Sequence, residues 1–136
     1  MKLTISRKAH FNAAHKLYRP DWSDEKNNEV FGKCSNKNFH GHNYELIVSL
    51  TGEVDPETGY VYDIGKLSKI IKSEIEDTLD HKNLNLEVPE FKHKNPTAEN
   101  IVIFIYNKLK VVLEDDLDLE VTLYETPRNF VSYSGK

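Results

Sequence analysis

Three histidines are spaced so that they could bind one metal ion. His40 and His42 are one residue apart, and in a β-strand the side chains of residues i and i+2 lie on the same face. His15 ends an alternating segment, so antiparallel pairing of the two strands would bring it beside them. Any one of these histidines could simply be a polar residue at a strand end. Three on one face, with an open fourth position, instead predict a catalytic metal site with zinc as the expected ion.

Two further groups could transfer protons near such a site. Cys34 is the only cysteine, which excludes a disulfide within the chain, and it lies six residues before His40. A nearby zinc ion would lower its pKa, although a lone cysteine could equally be a minor core residue or incidental. Asp80 directly precedes His81, and a carboxylate can fix the tautomer of an imidazole and raise its basicity. The same pair could also serve as a helix cap.

Glu125 is a charged residue in an apolar pattern. It continues the parity of Leu119, Val121 and Leu123, so its carboxylate should lie at the end of a buried strand face, where it needs a donor or a cation. Two parallel hydrogen bonds to the amidine-like edge of a pterin or guanine would satisfy it. The alternative is a glutamate at a strand end that turns to water.

Alternating and helical periodicities indicate the elements that position these residues. Apolar and polar residues alternate in the strands, and two segments between them have helical spacing. Asp63 can cap the first helix, and Asn95 or Thr97 the second. The order predicts an antiparallel sheet with both helices on one face, an α+β fold. The expected ranges are strands 1–15, 40–51, 117–125 and 130–134, an extended run 60–62, helices 64–79 and 95–113, and a turn-rich loop 16–39.

Length and composition narrow the functional class. With 136 residues, the chain predicts a single domain over 1–136. Its apolar fraction of 38% contains no long run that could span a membrane, and the N-terminus lacks an apolar signal segment, so we expect a cytoplasmic protein. A net charge of −4 with scattered lysines argues against nucleic-acid binding. His10, on the other face of the first strand, and His93, in a polar loop, are expected at the surface.

Several motifs in order resemble the 6-pyruvoyl tetrahydropterin synthase family, and the resemblance runs over nearly the whole chain. The resemblance implies the T-fold, or tunnelling fold, in which a four-stranded antiparallel sheet carries two helices on one face. It also implies that three subunits close a barrel and two trimers stack into a homohexamer, with active sites between subunits. The motifs that carry it lie at 11–15, 32–44, 79–85, 96–100 and 124–126.

The resemblance also implies a role for each matching residue. It implies that the metal is zinc and that the substrate is 7,8-dihydroneopterin triphosphate. It also implies that a cysteine acts as the base and that an aspartate–histidine pair relays protons. By position, the zinc ligands are His15, His40 and His42, the base is Cys34, the relay is Asp80 and His81, the pterin anchor is Glu125, and residues near the pterin are Thr97 and Glu99.

The implied activity is that of a zinc-dependent lyase that forms 6-pyruvoyl tetrahydropterin with loss of triphosphate. Five residues separate Cys34 from His40, which resembles this branch, whereas the branch that forms 6-carboxytetrahydropterin and acetaldehyde for queuosine biosynthesis usually keeps three. A folate-linked branch replaces the cysteine with glutamate. The alternatives are therefore the 6-carboxytetrahydropterin synthase and a non-catalytic T-fold module that binds zinc or pterin.

Overall fold

A five-stranded sheet forms the centre of the protein, which a computed structural model describes over residues 1–136. The strand order is β3-β1-β2-β4-β5, and the helices connect the strands. The elements in chain order are β1 (Lys2–His15), α1 (Asp24–Phe31), β2 (His40–Glu53), α2 (Ile64–Ile71), α3 (Asp77–Leu79), β3 (Lys82–Asn83), α4 (Leu84–Glu87), α5 (Ala98–Val112), β4 (Asp118–Tyr124) and β5 (Phe130–Tyr133).

The four long strands are antiparallel neighbours, as predicted. β1 and β2 pair over their full lengths, from Lys2 opposite Glu53 to His15 opposite His40, and β4 and β5 extend the sheet on the β2 side. The α+β fold is confirmed, but the predicted count of four strands is wrong. The fifth strand, β3, has two residues and runs parallel to the end of β1, and so short a segment has no alternation to detect.

The first long helix differs from a regular α-helix. Asp63 caps it as predicted, because its Oδ1 accepts from the Gly65 amide at 2.9 Å. The predicted helix 64–79 consists of α2, a π-helical segment (Lys72–Glu76) and α3. Its buried residues recur every four positions, more than the 3.6 residues of an α-helical turn. The wider π turn keeps all of them in the core; they are Leu67, Ile71, Ile75 and Leu79.

Two other expectations need correction. The loop predicted at 16–39 contains α1 and a 3-10 turn (Gly32–Ser35); α1 is short and mostly polar, so it has no apolar stripe to reveal it. The predicted extended run 60–62 is not a strand but part of the approach to α2. The second long helix, α5, matches its prediction closely, and the Thr97 hydroxyl caps it by accepting from the Asn100 amide at 3.1 Å.

The core lies on the face of the sheet that the helices cover. One cluster of 23 buried apolar residues fills it, including Tyr44, Leu46 and Val48 of β2, which are fully buried. On the opposite face, hydroxyl pairs such as Thr4 with Thr51 bridge neighbouring strands. None of the helices has the length and apolar character needed to cross a membrane.

Candidate functional site

The three predicted histidines meet at the end of the core face, where β1 ends and β2 begins. The register sets His15 opposite His40 and Ala13 opposite His42, so all three imidazoles lie on one face. Their ring centroids are 4.7, 5.1 and 4.9 Å apart. One nitrogen from each ring lies within 4.8 Å of the other two, which is a spacing that a single metal ion could bridge.

Three buried ring nitrogens in this cluster lack a hydrogen-bond partner. They are Nε2 of His15, Nδ1 of His40 and Nε2 of His42. Buried polar atoms nearly always have a partner, and three such atoms that face one another need a common one. A divalent metal ion fits this set, because imidazole nitrogen is a preferred ligand of zinc and a three-histidine site leaves a position for substrate.

The surroundings of His15 fix the tautomer that a metal requires. Its Nδ1 lies 2.7 Å from the Pro96 carbonyl oxygen, which can only accept, so Nδ1 carries the proton and Nε2 presents its lone pair. Burial lowers the pKa of His15 from 6.5 to about 4, despite the Pro96 hydrogen bond. Burial also lowers the pKa of His42. Both rings are therefore neutral near pH 7, the form that binds metal.

Two groups around His15 were missed by sequence reasoning. The Tyr44 hydroxyl lies 3.4 Å from His15 Nδ1, and the parity of β2 could have revealed it, since Tyr44 follows His42 by two residues. The Pro96 carbonyl is 81 positions away from His15 along the chain. No sequence pattern connects the two, because the contact depends on where α5 begins relative to the sheet.

Glu125 lies at the edge of the histidine cluster, on the predicted face. Its Oε2 is 3.9 Å from His15 Nε2, and its side chain is 26% exposed. This distance is too long for a hydrogen bond, and the lowered pKa of His15 leaves the ring uncharged at neutral pH. The turn after β4 holds Glu125 in place, because its amide donates to the Asn129 carbonyl at 3.0 Å. The carboxylate is thus free to accept hydrogen bonds from a ligand.

Cys34 lies in the 3-10 turn that precedes β2. Its carbonyl accepts from the Leu17 amide at 2.7 Å, which ties this turn to the end of β1. Burial raises the pKa of the Cys34 thiol, and the negative charge of Glu125 raises it further. The lowered pKa expected from the sequence therefore requires the positive charge of a bound metal ion.

Asp80 and His81 form a pair on the other face of the sheet. Asp80 Oδ2 is 3.0 Å from His81 Nδ1, and its Oδ1 accepts from the Asn12 amide at 2.9 Å, so the side chain bonds to β1 rather than capping a helix. That amide hydrogen bond, with a smaller contribution from His81, lowers the pKa of Asp80. His81 lines an open cavity of about 410 Å³ with Asn12 and Asn43. Asn12 and Asn43 belong to the face opposite the three histidine side chains, and His42 also lines the cavity. The pair thus lies beside the strands that carry the cluster, without a contact to its imidazole rings.

The remaining predicted residues have simpler surroundings. Thr97 follows Pro96 directly, so it lies near His15, but its hydroxyl already caps α5. Glu99 is exposed in the first turn of α5. His10 and His93 are exposed, as predicted.

Comparisons with known proteins agree on one family. A family model described as 6-pyruvoyl tetrahydropterin synthase matches residues 4–136. The 6-pyruvoyl tetrahydrobiopterin synthases of Pongo abelii and Homo sapiens are 45% and 43% identical to this chain, each over 97% of the chain and 91% of the relative. The structure of 6-pyruvoyl tetrahydropterin synthase from Caenorhabditis elegans superposes with a TM-score of 0.93 at 46% identity, over 100% of this chain and 97% of that one.

Proposed function

The chain belongs to the 6-pyruvoyl tetrahydropterin synthase family, and on this premise we propose that it converts 7,8-dihydroneopterin triphosphate to 6-pyruvoyl tetrahydropterin with loss of triphosphate. The observation that carries the proposal is the cluster of three partnerless histidine nitrogens beside a free carboxylate. A metal site and a pterin-binding group stand next to each other, as this reaction requires.

We propose that the metal is zinc and that its ligands are His15, His40 and His42. When bound there, zinc would act as a Lewis acid that makes the hydroxyl groups of the substrate side chain more acidic. The protein itself prepares the site, because burial keeps the imidazoles neutral and the Pro96 carbonyl orients His15. The buried hydroxyl of Tyr44 supports the same ring from the core side.

The other side chains bind the ring and move protons. Glu125 would accept two hydrogen bonds from the amidine-like edge of the pterin. Cys34, as a thiolate, would accept a proton from the substrate side chain. Moving hydrogen from the side chain to the ring by enolisation reduces the pterin without nicotinamide, and the same electron flow expels triphosphate. Thr97 and Glu99 are assigned to the surroundings of the pterin.

We propose that Asp80 and His81 act in the active site of a neighbouring subunit. Within one chain this pair lies beside the sheet face opposite the histidine side chains, in a cavity that His42 also lines, and a neighbouring subunit would offer it a second route to a histidine cluster. Both sheet edges are available for assembly: β3 covers only Ala13 and Ala14 of β1, and β5 has no outer neighbour. A homohexamer built as a dimer of trimers fits this need. The cytoplasmic location and the single domain over 1–136 stay predictions.

The pyruvoyl product is favoured over the 6-carboxy product. Five residues separate Cys34 from His40, as in the pyruvoyl-forming branch, and the relatives reported above are named for that product. Retention of Cys34, Asp80, His81 and Glu125 together disfavours a non-catalytic binding module, because binding alone needs no proton relay.

Product analysis tests the proposal directly. Zinc-loaded protein is incubated with 7,8-dihydroneopterin triphosphate under anaerobic conditions, and the products are identified by mass spectrometry. We expect 6-pyruvoyl tetrahydropterin and triphosphate. Formation of 6-carboxytetrahydropterin with acetaldehyde would assign the protein to deazapurine synthesis instead, and the absence of triphosphate release would leave only the binding module.

A further inference from the structure

The pairing of β1 with β2 ends at two residues of the histidine cluster. His15 opposite His40 is the last pair of the register. Beyond it, one backbone hydrogen bond connects the two segments, from the Leu17 amide to the Cys34 carbonyl at 2.7 Å. The end of a ladder opens more readily than its middle, because its last pair has a neighbouring pair on one side only. Opening here would separate His15 from His40, so the order of the cluster depends on what holds this end closed.

The side chains of Lys16 and Phe39 meet directly beyond the last pair. Lys16 follows His15 in the chain, and Phe39 precedes His40. Lys16 Nζ lies 5.0 Å from the ring centroid of Phe39 and 5.0 Å from that of Tyr18, which is within the range of a cation–π interaction. All three residues are half-buried, and such an interaction strengthens as water is removed. This group of three side chains, the Lys16 stack, connects the end of β1 with the start of β2.

Asparagine side chains hold the backbone of the Lys16 stack on the β1 side. Asn85 Oδ1 accepts from the Lys16 amide at 2.9 Å, and its Nδ2 donates to the Lys16 carbonyl at 3.0 Å. Asn95 Oδ1 accepts from the Tyr18 amide at 3.0 Å. Because the backbone is already fixed by these contacts, the side chains lose less conformational freedom when they stack.

Phe39 has a backbone conformation that favours glycine. Its φ is 66°, and one other non-glycine residue in the chain has a positive φ, His81 at 60°. For a bulky side chain this left-handed region costs free energy, which the surrounding structure has to offset. The Phe39 amide donates to the Asn36 carbonyl at 3.0 Å and closes the turn before β2, but a glycine would form the same turn without strain. What the aromatic residue adds is the contact of its ring with Lys16.

We propose that the Lys16 stack positions the metal ligands by holding the end of the β1–β2 ladder closed. The free nitrogen of His40 is Nδ1, the ring nitrogen nearer to the backbone, so a small shift of the strand end moves it away from His15. Lys16, Tyr18 and Phe39 are positioning residues in this role, because they act through the two histidines and contact no substrate. The inference rests on the proposed function only for the identity of the metal.

Hydrogen exchange of the metal-free, full-length protein tests the Lys16 stack without zinc. Lys16→Gln removes the charge but leaves the backbone contacts with Asn85 in place. We expect the amides of residues 13–15 and 40–42 to exchange about three- to tenfold faster in this variant than in the wild type. Phe39→Leu keeps an apolar side chain and should also speed their exchange. The double variant should exchange no faster than Lys16→Gln, within about twofold, because Lys16→Gln already removes the contact that the two residues share.

The matched control is Lys26→Gln in α1. Lys26 Nζ lies 4.2 Å from the ring centroid of Trp22, so this variant loses the same charge and a cation–π contact of its own, but away from the end of the ladder. Exchange at residues 13–15 and 40–42 should therefore stay within about twofold of the wild type.

Zinc release from the loaded protein into an excess of chelator gives a second readout. Release requires the ligands to separate, so its rate should rise in Lys16→Gln by a similar factor and stay unchanged in Lys26→Gln. Equal exchange in the wild type and Lys16→Gln, the same increase in Lys26→Gln, or additive effects of the substitutions at Lys16 and Phe39 would each overturn the proposal. If the wild type binds no zinc, the metal assignment fails, while exchange in the metal-free protein still decides the role of the Lys16 stack.

Discussion

The protein places histidines in two contrasting environments. His15, with His40 and His42, lies on the core face of the sheet, is 1% exposed, and is oriented by a backbone carbonyl. The side chain of His81 on the opposite face is 76% exposed, and its partner Asp80 is 38% exposed. The first set is complete and ordered within one chain. The second is held in position by β1 and lines an open cavity of about 410 Å³, so in the proposed function its chemistry depends on what assembly brings to that cavity.

Removal of His42 should have the largest effect on the set of histidines on the core face. His42→Ala should weaken zinc binding by more than about 100-fold, because loss of an outer partner alone costs roughly 10- to 100-fold, and turnover should disappear with the metal. Zinc content after dialysis against a graded chelator measures the change. The matched control is His10→Ala, an exposed histidine on the other face, which should keep its zinc. Equal zinc retention by both variants would contradict the assignment.

Assemblies that contain two different variants should show whether Cys34, near the first set of histidines, and His81 act in one chain or in two neighbouring subunits. Cys34→Ala and His81→Ala should each lower kcat by about 100- to 10,000-fold while zinc stays bound. If the two groups come from different subunits, co-expression of both variants should restore activity to about one quarter of the wild type, because random mixing leaves that share of sites intact. Activity assays on co-purified assemblies measure it. No restoration at all would mean that both groups act within one chain, and normal turnover by Cys34→Ala would remove its role as base.

Acid should destabilise the metal-free protein through His15. The unfolded chain takes up a proton near pH 6.5, but burial lowers the pKa of His15 in the fold to about 4. Between these values the unfolded state binds more protons, so stability is complete above about pH 6.5 and falls as the pH drops toward 4. The expected loss is about 3 kcal/mol. Urea unfolding at several pH values, compared with His15→Gln, measures it, and an identical pH dependence of the two proteins would be the contrary result.

The sequence predicted what short-range periodicity determines. Alternation assigned His15 and His40 to one face, and the pairing of β1 with β2 followed from it. It also placed Glu125 at the end of a buried strand face, and the structure adds that the histidines lie beside it. The distance of the Glu125 carboxylate from His15 follows from the β2–β4 register and from the turn that ends β4. Neither feature can be predicted from the order of apolar and polar residues.

The missed features have physical reasons of their own. β3 and α1 are too short or too polar to show a pattern, and the π segment differs from a regular helix only in the width of its turns. The contact of His15 with the Pro96 carbonyl depends on long-range packing. The position of Asp80 beside the opposite face could not be predicted either. It depends on the long-range hydrogen bond that the Asp80 carboxylate accepts from the Asn12 amide.

The smallest expected effect concerns Glu125, which borders the histidine cluster without being a ligand in it. Glu125→Gln should weaken pterin binding by about tenfold, because a neutral amide offers one acceptor where the carboxylate offers two. Zinc should stay bound, since the three imidazole nitrogens are unchanged, and the Cys34 thiol should titrate at lower pH, because the charge of Glu125 raises its pKa. Titration of the variant with a dihydropterin, together with zinc analysis and thiol reactivity against pH, measures all three. Unchanged pterin affinity would refute the anchor, whereas a loss of zinc would make Glu125 part of the metal site.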